Sequence, residues 1–516
     1  MALICYSGTK ITSPKEPTVP QLNAESLTHL PESVAVPAYD RTKVTTGIVH
    51  FGVGGFHRAH QAMYLDRLMN AGKALDWGIC GVGVLEHDAK MAQVMAEQDC
   101  LYTMVLKHPD GRREARVIGS ITEYLFAPAD PDAVIEMMAS PDTRIVSLTV
   151  TEGGYNFHHV TGDFDAENPD VVHDLSPNAT PRTTFGLVTE ALSRRRSRGI
   201  APFTVMSCDN IQGNGDVAKK MFTAFAELRD PDLAAWMRAN VLFPNSMVDR
   251  ITPVTADADR DAIATEFGIT DQWPVVCEPF EQWVLEDHFT MGRPPFEDAG
   301  VQVVDDVEPY ELMKLRLLNA SHQALCYFGT LAGYTYAHEV CQDPLFVQFL
   351  LDYMDLEGTP ALSPLPGVDL PLYKRTLIER FANEHVRDTL ARLCAESSDR
   401  IPKWLVPVIW INLGNDKLTD DGGIARSAGI VASWARYAEG TDESGAPLDV
   451  VDRLKEPLMA AAALQHEDKL AFLRNRDVFG DLVDNARFTD AYLRTLDTLH
   501  TRGARAAVEE LVALGR

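Results

Sequence analysis

One predicted helix carries three side chains suited to acid–base chemistry. Residues 309–327 read as a helix that contains Lys314, Asn319 and His322. At ~100° per residue, His322 falls about 80° and Asn319 about 140° from Lys314, so an amine, an amide and an imidazole share one face. Two leucines lie on the same arc, so this face is predicted to be buried. Buried polar groups are costly without partners, and the helix is therefore a candidate site.

A second interpretation of the same helix stays open at this point. In a plain core helix, Asn319 and His322 would bond to neighbouring carbonyls while Lys314 extended its amine to solvent. The sequence of the helix alone does not separate the two interpretations. The decision depends on the elements around it.

A glycine-rich turn near residue 50 has the surroundings that a dinucleotide site requires. Residues 46–52 predict a buried strand, and a helical pattern follows the turn. Glycines let the backbone approach a pyrophosphate, and the helix N-terminus favours its negative charge. The candidate cofactor-binding residues of this turn are Gly52, Gly54, Gly55, Phe56, His57 and Arg58.

The match to the dinucleotide fingerprint is imperfect, because His57 stands where a third glycine is usual. A tight strand–helix turn without a ligand is the alternative. His57 and His60 have a spacing found in metal sites, but nothing nearby completes a ligand set. No metal is therefore expected at this turn.

Two acidic residues follow the second predicted strand, residues 77–85. Glu86 and Asp88 stand where an acid can bind the adenosine ribose, and such an acid favours NAD over NADP because it repels a 2′-phosphate. The alternative is that both simply place negative charge at a helix N-terminus.

Strands and helices alternate through the first 290 residues, and several strands end in glycine and polar residues. Glu152 and Gly153 follow the strand at 144–151, and Asn210 follows the strand at 202–207. This alternation predicts a doubly wound, Rossmann-type sheet with ligands at the strand C-terminal ends. Glu152 and Gly153 are further candidate cofactor contacts.

Helical patterns dominate after residue 308, and a stretch rich in glycine and proline at 289–296 precedes them. We therefore expect an α/β Rossmann-type domain with an N-terminal arm over residues 1–291. A mostly α-helical substrate-binding and catalytic domain is expected over residues 292–516. The site would lie between the two domains, which is a usual place for one.

Composition excludes several classes of partner. The 516 residues carry a net charge of −27, which argues against nucleic acid and anionic membranes. We see no signal peptide and no apolar stretch of transmembrane length. The eight cysteines are scattered without a C-x-x-C pair, which is typical of reduced thiols in a cytoplasmic protein.

Several motifs, in order and at conserved distances along the chain, resemble the long-chain mannitol dehydrogenase family of polyol-specific dehydrogenases. Within the family, residues 124–128 and 149–156 look most like the mannitol 2-dehydrogenase branch. The motifs that carry the family resemblance are residues 52–60, 151–155, 207–210, 243–253 and the pattern Lys314-x4-Asn319-x2-His322.

The resemblance implies residue roles in a metal-independent enzyme. It implies that Lys314 is the general base, that Asn210 and Asn319 bind the oxyanion, and that His322 positions the substrate. It also places four further side chains near the substrate: Asp249, Arg250, Arg392 and Lys403.

The activity implied is NAD-dependent oxidation of a polyol, D-mannitol to D-fructose, with reverse ketose reduction. D-sorbitol and D-arabinitol are alternative substrates, and a monomer or weak homo-oligomer is expected. A fructuronate or tagaturonate reductase of the same family is the nearest rival. It needs a cation for the substrate carboxylate, and Arg250 or Arg392 is a candidate. A non-catalytic cofactor-binding protein is the rival from another class, but it would be expected to lack Lys314 or one of the two asparagines.

Overall fold

A parallel five-stranded sheet organises the N-terminal half. A computed structural model describes residues 20–158, 162–415 and 423–514, and the N-terminal arm before residue 20 lies outside them. The strand order β5-β2-β1-β6-β7 reverses between β1 and β6, and the crevice at such a reversal is where doubly wound sheets bind ligands. The strands are β1 (Thr46–Phe51), β2 (Gly78–Gly83), β5 (Ile121–Phe126), β6 (Ile145–Leu148) and β7 (Thr204–Ser207).

Two three-stranded sheets lie beside the parallel sheet, in the orders β4-β3-β9 and β11-β10-β8. Strands β5, β8 and β11 are not among those predicted from the sequence. The polar segment that contains β8 has little strand character, and it becomes a strand because it pairs with β10. The strands of these sheets are β3 (Tyr102–Lys107), β4 (Arg113–Ile118), β8 (Ser246–Asp249), β9 (Val275–Cys277), β10 (Gln282–Glu286) and β11 (Gln302–Val304).

Helices cover both faces of the parallel sheet. Apolar side chains of strand β1 enter two separate cores, Ile48 on one face and Val49 and Phe51 on the other, as the period-2 alternation of a strand requires. The α-helices of this half are Gly55–Ala59, Gln61–Asn70, Ala89–Glu97, Pro131–Ala139, Pro169–Asp174, Thr184–Ser197, Asn214–Arg229, Pro231–Asn240 and Asp257–Phe267.

The C-terminal half is helical where the structure describes it, and one continuous apolar core holds it together. The Rossmann-type fold class with a helical second part is therefore confirmed. The α-helices are Glu308–Met313, Ala320–Leu331, Ala337–Cys341, Pro344–Tyr353, Leu370–Phe381, Leu390–Cys394, Ser397–Trp404, Val406–Leu413, Ala425–Tyr437, Lys455–Ala463, Arg476–Phe479 and Ala486–Ala513, and π-helical turns span Lys314–Asn319 and Met354–Gly358.

The chain beyond the predicted domain boundary at residue 292 still pairs with the N-terminal half. Strand β11 lies beyond it but pairs in parallel with β10, Val284 opposite Gln302. We therefore propose that the helical domain begins with the helix Glu308–Met313 and that residues 292–304 pack with the N-terminal half. None of the helices in the described part of the chain is long and apolar enough to span a bilayer.

Candidate active site

The predicted helix at 309–327 contains a turn of π-helix at the residues that matter. The α-helices Glu308–Met313 and Ala320–Leu331 are joined by the π-helical turn Lys314–Asn319, in which the Ala320 N–H donates to the Leu315 carbonyl. In a π-helix, residues five apart are hydrogen-bonded neighbours. Asn319 therefore lies one wide turn beyond Lys314, instead of being rotated away from it as the ideal α-helix predicts.

The Lys314 amine is buried at the junction of the two halves. Its Nζ donates to Asn210 Oδ1 at 2.6 Å and to the Val248 carbonyl at 2.7 Å. Asn210 follows β7 of the parallel sheet, and Val248 belongs to β8. The amine from the helical half thus rests against two strands of the N-terminal half, and the solvent-extending interpretation of Lys314 does not describe the structure.

The surroundings of Lys314 favour its uncharged form. Burial lowers the pKa of the amine, and the Arg380 guanidinium lowers it further, while Asp249 and Glu311 act in the opposite direction. The net result is a pKa below that of an ordinary lysine. Among the described residues the amine donates only to neutral oxygens, so no bonded carboxylate there holds the proton on it.

Glu311, one turn before Lys314, is also shifted toward its neutral form. Burial raises the pKa of its carboxyl to about 7, against the opposing effect of a hydrogen bond from the Gly213 N–H at 3.0 Å. A carboxyl group and an amine that both titrate away from their ordinary values lie within one turn of helix. Such clustering of shifted groups is typical of functional sites.

Asn319 and His322 continue the same helix with unpaired polar atoms. Within the described residues the Asn319 side chain makes no hydrogen bond, although it is 5% exposed. His322 packs against the Phe381 ring, and its Nε2 is buried without a partner. Burial lowers the pKa of His322 to about 3, so its imidazole is neutral.

Asp249 lies next to this helix but is committed to an ion pair that the sequence did not indicate. Arg380, at the end of the helix Leu370–Phe381, donates to both Asp249 oxygens at 2.8 and 2.9 Å. The same guanidinium donates to both Glu278 oxygens at 2.9 and 2.8 Å. Burial acts to raise the pKa of Asp249, but Arg380 outweighs it and holds the pKa below its usual range.

Arg380 and Glu278 were missed because nothing in their local sequence marks them. A single arginine in the last turn of a helix is ordinary there, and Glu278 follows a short strand. Only the contact between the two halves turns them into a buried ion triad with Asp249.

Arg250 is bonded to groups of the N-terminal half. Its Nη1 donates to the Ala59 carbonyl at 2.8 Å, and its Nε donates to the Glu278 carbonyl at 3.1 Å. An ion pair with Glu281 at 3.3 Å completes its contacts. The guanidinium therefore fixes the turn after the glycine-rich segment, and its role in substrate binding stays a prediction.

Two further predicted substrate residues form exposed ion pairs. Arg392 bonds to Asp388 with two contacts of 2.6 Å, and it is one of the charges that act on His322. Lys403 lies 3.2 Å from Glu152, so a predicted substrate residue and a predicted cofactor residue contact each other across the two halves. Whether either of the two basic side chains binds substrate stays a prediction.

A large cleft opens at the C-terminal ends of β1, β2, β5 and β6. Its volume is about 1530 Å³, and Gly52, Gly54, Glu86, Asp88 and Gly153 all contribute to its wall. These residues come from three separate strand ends, as the sequence analysis predicts. The cleft lies on the same edge of the sheet as Asn210, which follows β7.

Two glycines shape the wall of this cleft. Gly52 has φ +90°, and a Cβ there would lie 2.1 Å from the Thr149 carbonyl oxygen, so no other residue fits. At Gly54 the nearest atom to an added Cβ is 3.8 Å away, which leaves the backbone open to close approach by a ligand.

The residues after Gly54 lie away from the wall of the cleft. His57 is buried, with its ring stacked on His50 at 3.4 Å, and Arg58 donates to the Trp273 carbonyl while lying over the Tyr102 ring. Gly55 and Phe56 begin the short helix Gly55–Ala59. The N-terminus of this helix lies at Gly54. A phosphate bound there would meet the backbone N–H groups of the helix and not its side chains.

Glu86 and Asp88 take different roles after β2. Both N–H groups of the turn, those of Val84 and Leu85, donate to Asp88 Oδ2 at 2.9 Å. Asp88 therefore holds the turn. Glu86 is exposed at the rim of the cleft and makes no hydrogen bond within the described chain, so its carboxylate is free to meet a ribose.

These observations fit a dinucleotide. The open backbone at Gly54 and the short helix after it suit a pyrophosphate, and the free Glu86 carboxylate suits the unphosphorylated ribose of NAD. A Rossmann-type cleft beside a buried lysine at the junction with a helical domain is the arrangement of a two-domain, NAD-dependent dehydrogenase.

Comparison with known families agrees with this class. Residues 46–298 match the mannitol dehydrogenase Rossmann domain, and residues 306–500 match the mannitol dehydrogenase C-terminal domain. The chain therefore belongs to the mannitol dehydrogenase family, and the resemblance seen in its sequence is confirmed.

Individual relatives match over nearly their whole length. A mannitol 2-dehydrogenase from Aspergillus fumigatus is 46% identical over 498 residues, which cover 95% of this chain and 97% of the relative. Mannitol dehydrogenase 2 from Saccharomyces cerevisiae is 45% identical over 504 residues, which cover 97% of this chain and 99% of the relative.

Two solved structures share the fold. The Pseudomonas fluorescens mannitol 2-dehydrogenase in ternary complex with NAD and D-mannitol is 45% identical with a TM-score of 0.83, and the match covers 96% of this chain and 100% of that one. A D-sorbitol dehydrogenase in substrate-free form is 37% identical with a TM-score of 0.88, and the match covers 95% of this chain and 100% of that one.

Proposed function

We propose that this NAD-dependent polyol dehydrogenase oxidises D-mannitol to D-fructose and catalyses the reverse reduction, with Lys314 as the proton acceptor. The observation that carries the proposal is the Lys314 amine, buried between Asn210 and Val248 with a lowered pKa. A relative of known structure is titled as a complex with NAD and D-mannitol, and it supports this choice of substrate.

Oxidation of a secondary alcohol needs an acceptor for the hydroxyl proton. Lys314 is suited to this step because burial favours the neutral amine, which has a lone pair to accept the proton. When NAD is bound in the cleft, it supplies the hydride acceptor. In the reverse direction the protonated Lys314 returns the proton to the ketose oxygen.

Two amides are placed to stabilise the oxygen as it loses its proton. Asn210 Oδ1 accepts from Lys314, so its Nδ2 is left to donate elsewhere. The unbonded Asn319 side chain lies one π-turn beyond Lys314. Donors that are already in place and do not titrate stabilise a developing alkoxide without reorganisation, so the proposed mechanism needs no metal.

His322 is suited to orienting the substrate. Its buried Nε2 has no protein partner, and such a group binds a substrate hydroxyl more favourably than it stays empty. Because its pKa lies at about 3, it is a poor proton donor for catalysis. It holds the polyol chain while Lys314 moves the proton.

The structure favours a polyol over a sugar acid. A sugar-acid reductase needs a cation that is free for the substrate carboxylate. Arg250 is used by backbone carbonyls and Glu281, and Arg392 is paired with Asp388. Both cations named for the sugar-acid alternative are thus already neutralised or enclosed.

Activity with a panel of ketoses tests this function. NADH oxidation by the purified enzyme should be fastest, by kcat/KM, with fructose, and slower with fructuronate, xylulose and tagatose. The same assay with mannitol, sorbitol and arabinitol in the oxidative direction ranks the polyols. Higher kcat/KM with fructuronate than with fructose would overturn the polyol assignment.

The cofactor is tested in the same preparation. NAD should give the higher kcat/KM, because the free Glu86 carboxylate repels the 2′-phosphate of NADP. Glu86→Gln should reduce the difference in kcat/KM between NAD and NADP. Asp88→Asn serves as the comparison. Because Asp88 holds the turn, its replacement should lower kcat/KM with NAD and with NADP by a similar factor.

A further inference from the structure

Three side chains of the helical domain, none of them part of the site described above, bring metal-binding atoms together. Glu439 follows the helix Ala425–Tyr437, His466 ends the 3₁₀ turn Leu464–His466, and His500 lies in the helix Ala486–Ala513. The ligand atoms of the three residues all lie within 4.8 Å of one another. They come from three separate elements, so the tertiary fold alone assembles them.

We propose that Glu439, His466 and His500 form a binding site for a divalent transition metal, Zn²⁺, that staples the C-terminal helices together. Two imidazoles and one carboxylate are a ligand set that zinc accepts, with water in the fourth position of a tetrahedron. Hard cations such as Mg²⁺ prefer oxygen ligands, so the two histidines select against them.

The present geometry is close to that of a metal site. His500 Nε2 lies 2.7 Å from Glu439 Oε1, and the His466 and His500 ring centroids are 5.1 Å apart. Ligands of a tetrahedral zinc stand about 3.4 Å apart when each bond is about 2.1 Å. The His500–Glu439 contact therefore needs to open by about 0.7 Å. His466 is exposed, so its ring is free to turn inward.

Neighbouring groups hold the carboxylate in position. Gln465, which is 1% exposed, donates through Nε2 to Glu439 Oε1 at 3.3 Å, and the Tyr492 hydroxyl fixes Gln465 at 3.0 Å. Arg436 pairs with the other oxygen, Glu439 Oε2, at 3.3 Å. Supporting contacts of this kind orient ligands in known metal sites, and here they hold Glu439 with its Oε1 against His500.

A metal here would stabilise the helical domain without taking part in the reaction. The helices Ala425–Tyr437 and Ala486–Ala513 pack on each other in the same apolar core, and none of the three ligands lies on the elements that carry Lys314 or Asn210. A ligand that binds only the folded state adds stability in proportion to its saturation.

Calorimetric titration of the metal-free full-length enzyme with ZnCl2 tests the proposal, with MgCl2 as the parallel titrant. We expect one Zn²⁺ per chain, no Mg²⁺ binding, and a rise in Tm of about 5 °C at saturating zinc. His466→Gln should weaken zinc binding at least tenfold. Because the His466 side chain is exposed, its replacement should not affect folding. His500→Gln should do the same.

A matched control separates this site from casual zinc binding. His288 is another exposed histidine beside a glutamate, at 3.8 Å from Glu286, but without a second histidine. His288→Gln should bind zinc as the wild type does. Equal zinc affinity in wild type and His466→Gln, or no binding below about 100 µM, would overturn the proposal. Chelation of zinc from the zinc-loaded enzyme should lower Tm but leave kcat unchanged. A failure of the zinc proposal is therefore distinguishable from a failure of the proposed dehydrogenase function.

Discussion

Lys314 and Arg380 are two buried cations that the helical half places against the N-terminal half, and their surroundings differ in one respect. Lys314 bonds to two neutral oxygens, whereas Arg380 bonds to the carboxylates of Asp249 and Glu278. Burial lowers the pKa of both, but for Arg380 the two carboxylates reverse the effect and raise it. The bonded partner, and not burial, decides the direction in which the pKa of each cation shifts.

This difference assigns separate tasks to neighbouring groups. Arg380 cannot lose its proton, so it serves as a fixed tie between the halves. Its charge in turn helps to lower the pKa of Lys314. A fixed cation beside a base is one way to bring a lysine toward neutrality, and the contrast between the two can be broken by experiment.

Replacement of Lys314 should have the largest effect. In Lys314→Ala, kcat should fall by about 10²–10⁴, the usual contribution of a general base, while NADH affinity from a fluorescence titration stays close to wild type. Lys314→Arg keeps the charge but not the titration, and it should be as inactive. The exposed Lys469, which pairs with Asp497, provides the matched control, and Lys469→Ala should keep most of the turnover. A kcat within tenfold of wild type in Lys314→Ala would refute the base.

Replacement of Arg380 should affect stability next. Arg380→Gln leaves Asp249 and Glu278 buried without a counter-charge, which should cost about 3–5 kcal/mol in the free energy of unfolding by urea. Arg392→Gln removes an exposed arginine from a pair with Asp388 and should cost about 0–1 kcal/mol. Similar losses in the two variants would show that the triad is no stronger than a surface pair.

The pH profile carries the smallest and most specific effect. Polyol oxidation needs neutral Lys314, so kcat/KM should fall about tenfold per pH unit below the pKa of that amine, and this limb should lie below the ordinary lysine value of about 10.4. Ketose reduction needs the protonated amine, so its kcat/KM should fall above the pKa of Lys314. Asp249 raises the pKa of Lys314, so Asp249→Asn should move the oxidation limb to lower pH. If Asp249→Asn leaves this limb at the same pH, Asp249 does not influence the pKa of the base.

Local pattern was a good guide to the parts of this protein that depend on nearby residues. The strand–glycine–helix turn near residue 50 and the acidic residues after β2 lie where the sequence places them, and residues 309–327 are helical apart from the π-turn Lys314–Asn319. Periodicity and turn chemistry report contacts within a few residues, and these features depend on little else. Strands β5 and β8 were harder to predict from the sequence, because a strand forms only where a distant partner completes its hydrogen bonds.

The sequence by itself determined the family and the order of a Rossmann-type half before a helical half, and it named candidate residues for their junction. The tertiary structure alone decided how those residues are used. It added the π-turn that brings Asn319 over Lys314, took Asp88 and Arg250 for backbone contacts, and bound Asp249 to Arg380. Such choices depend on which distant groups come within about 3 Å, and no local pattern of residues encodes that distance.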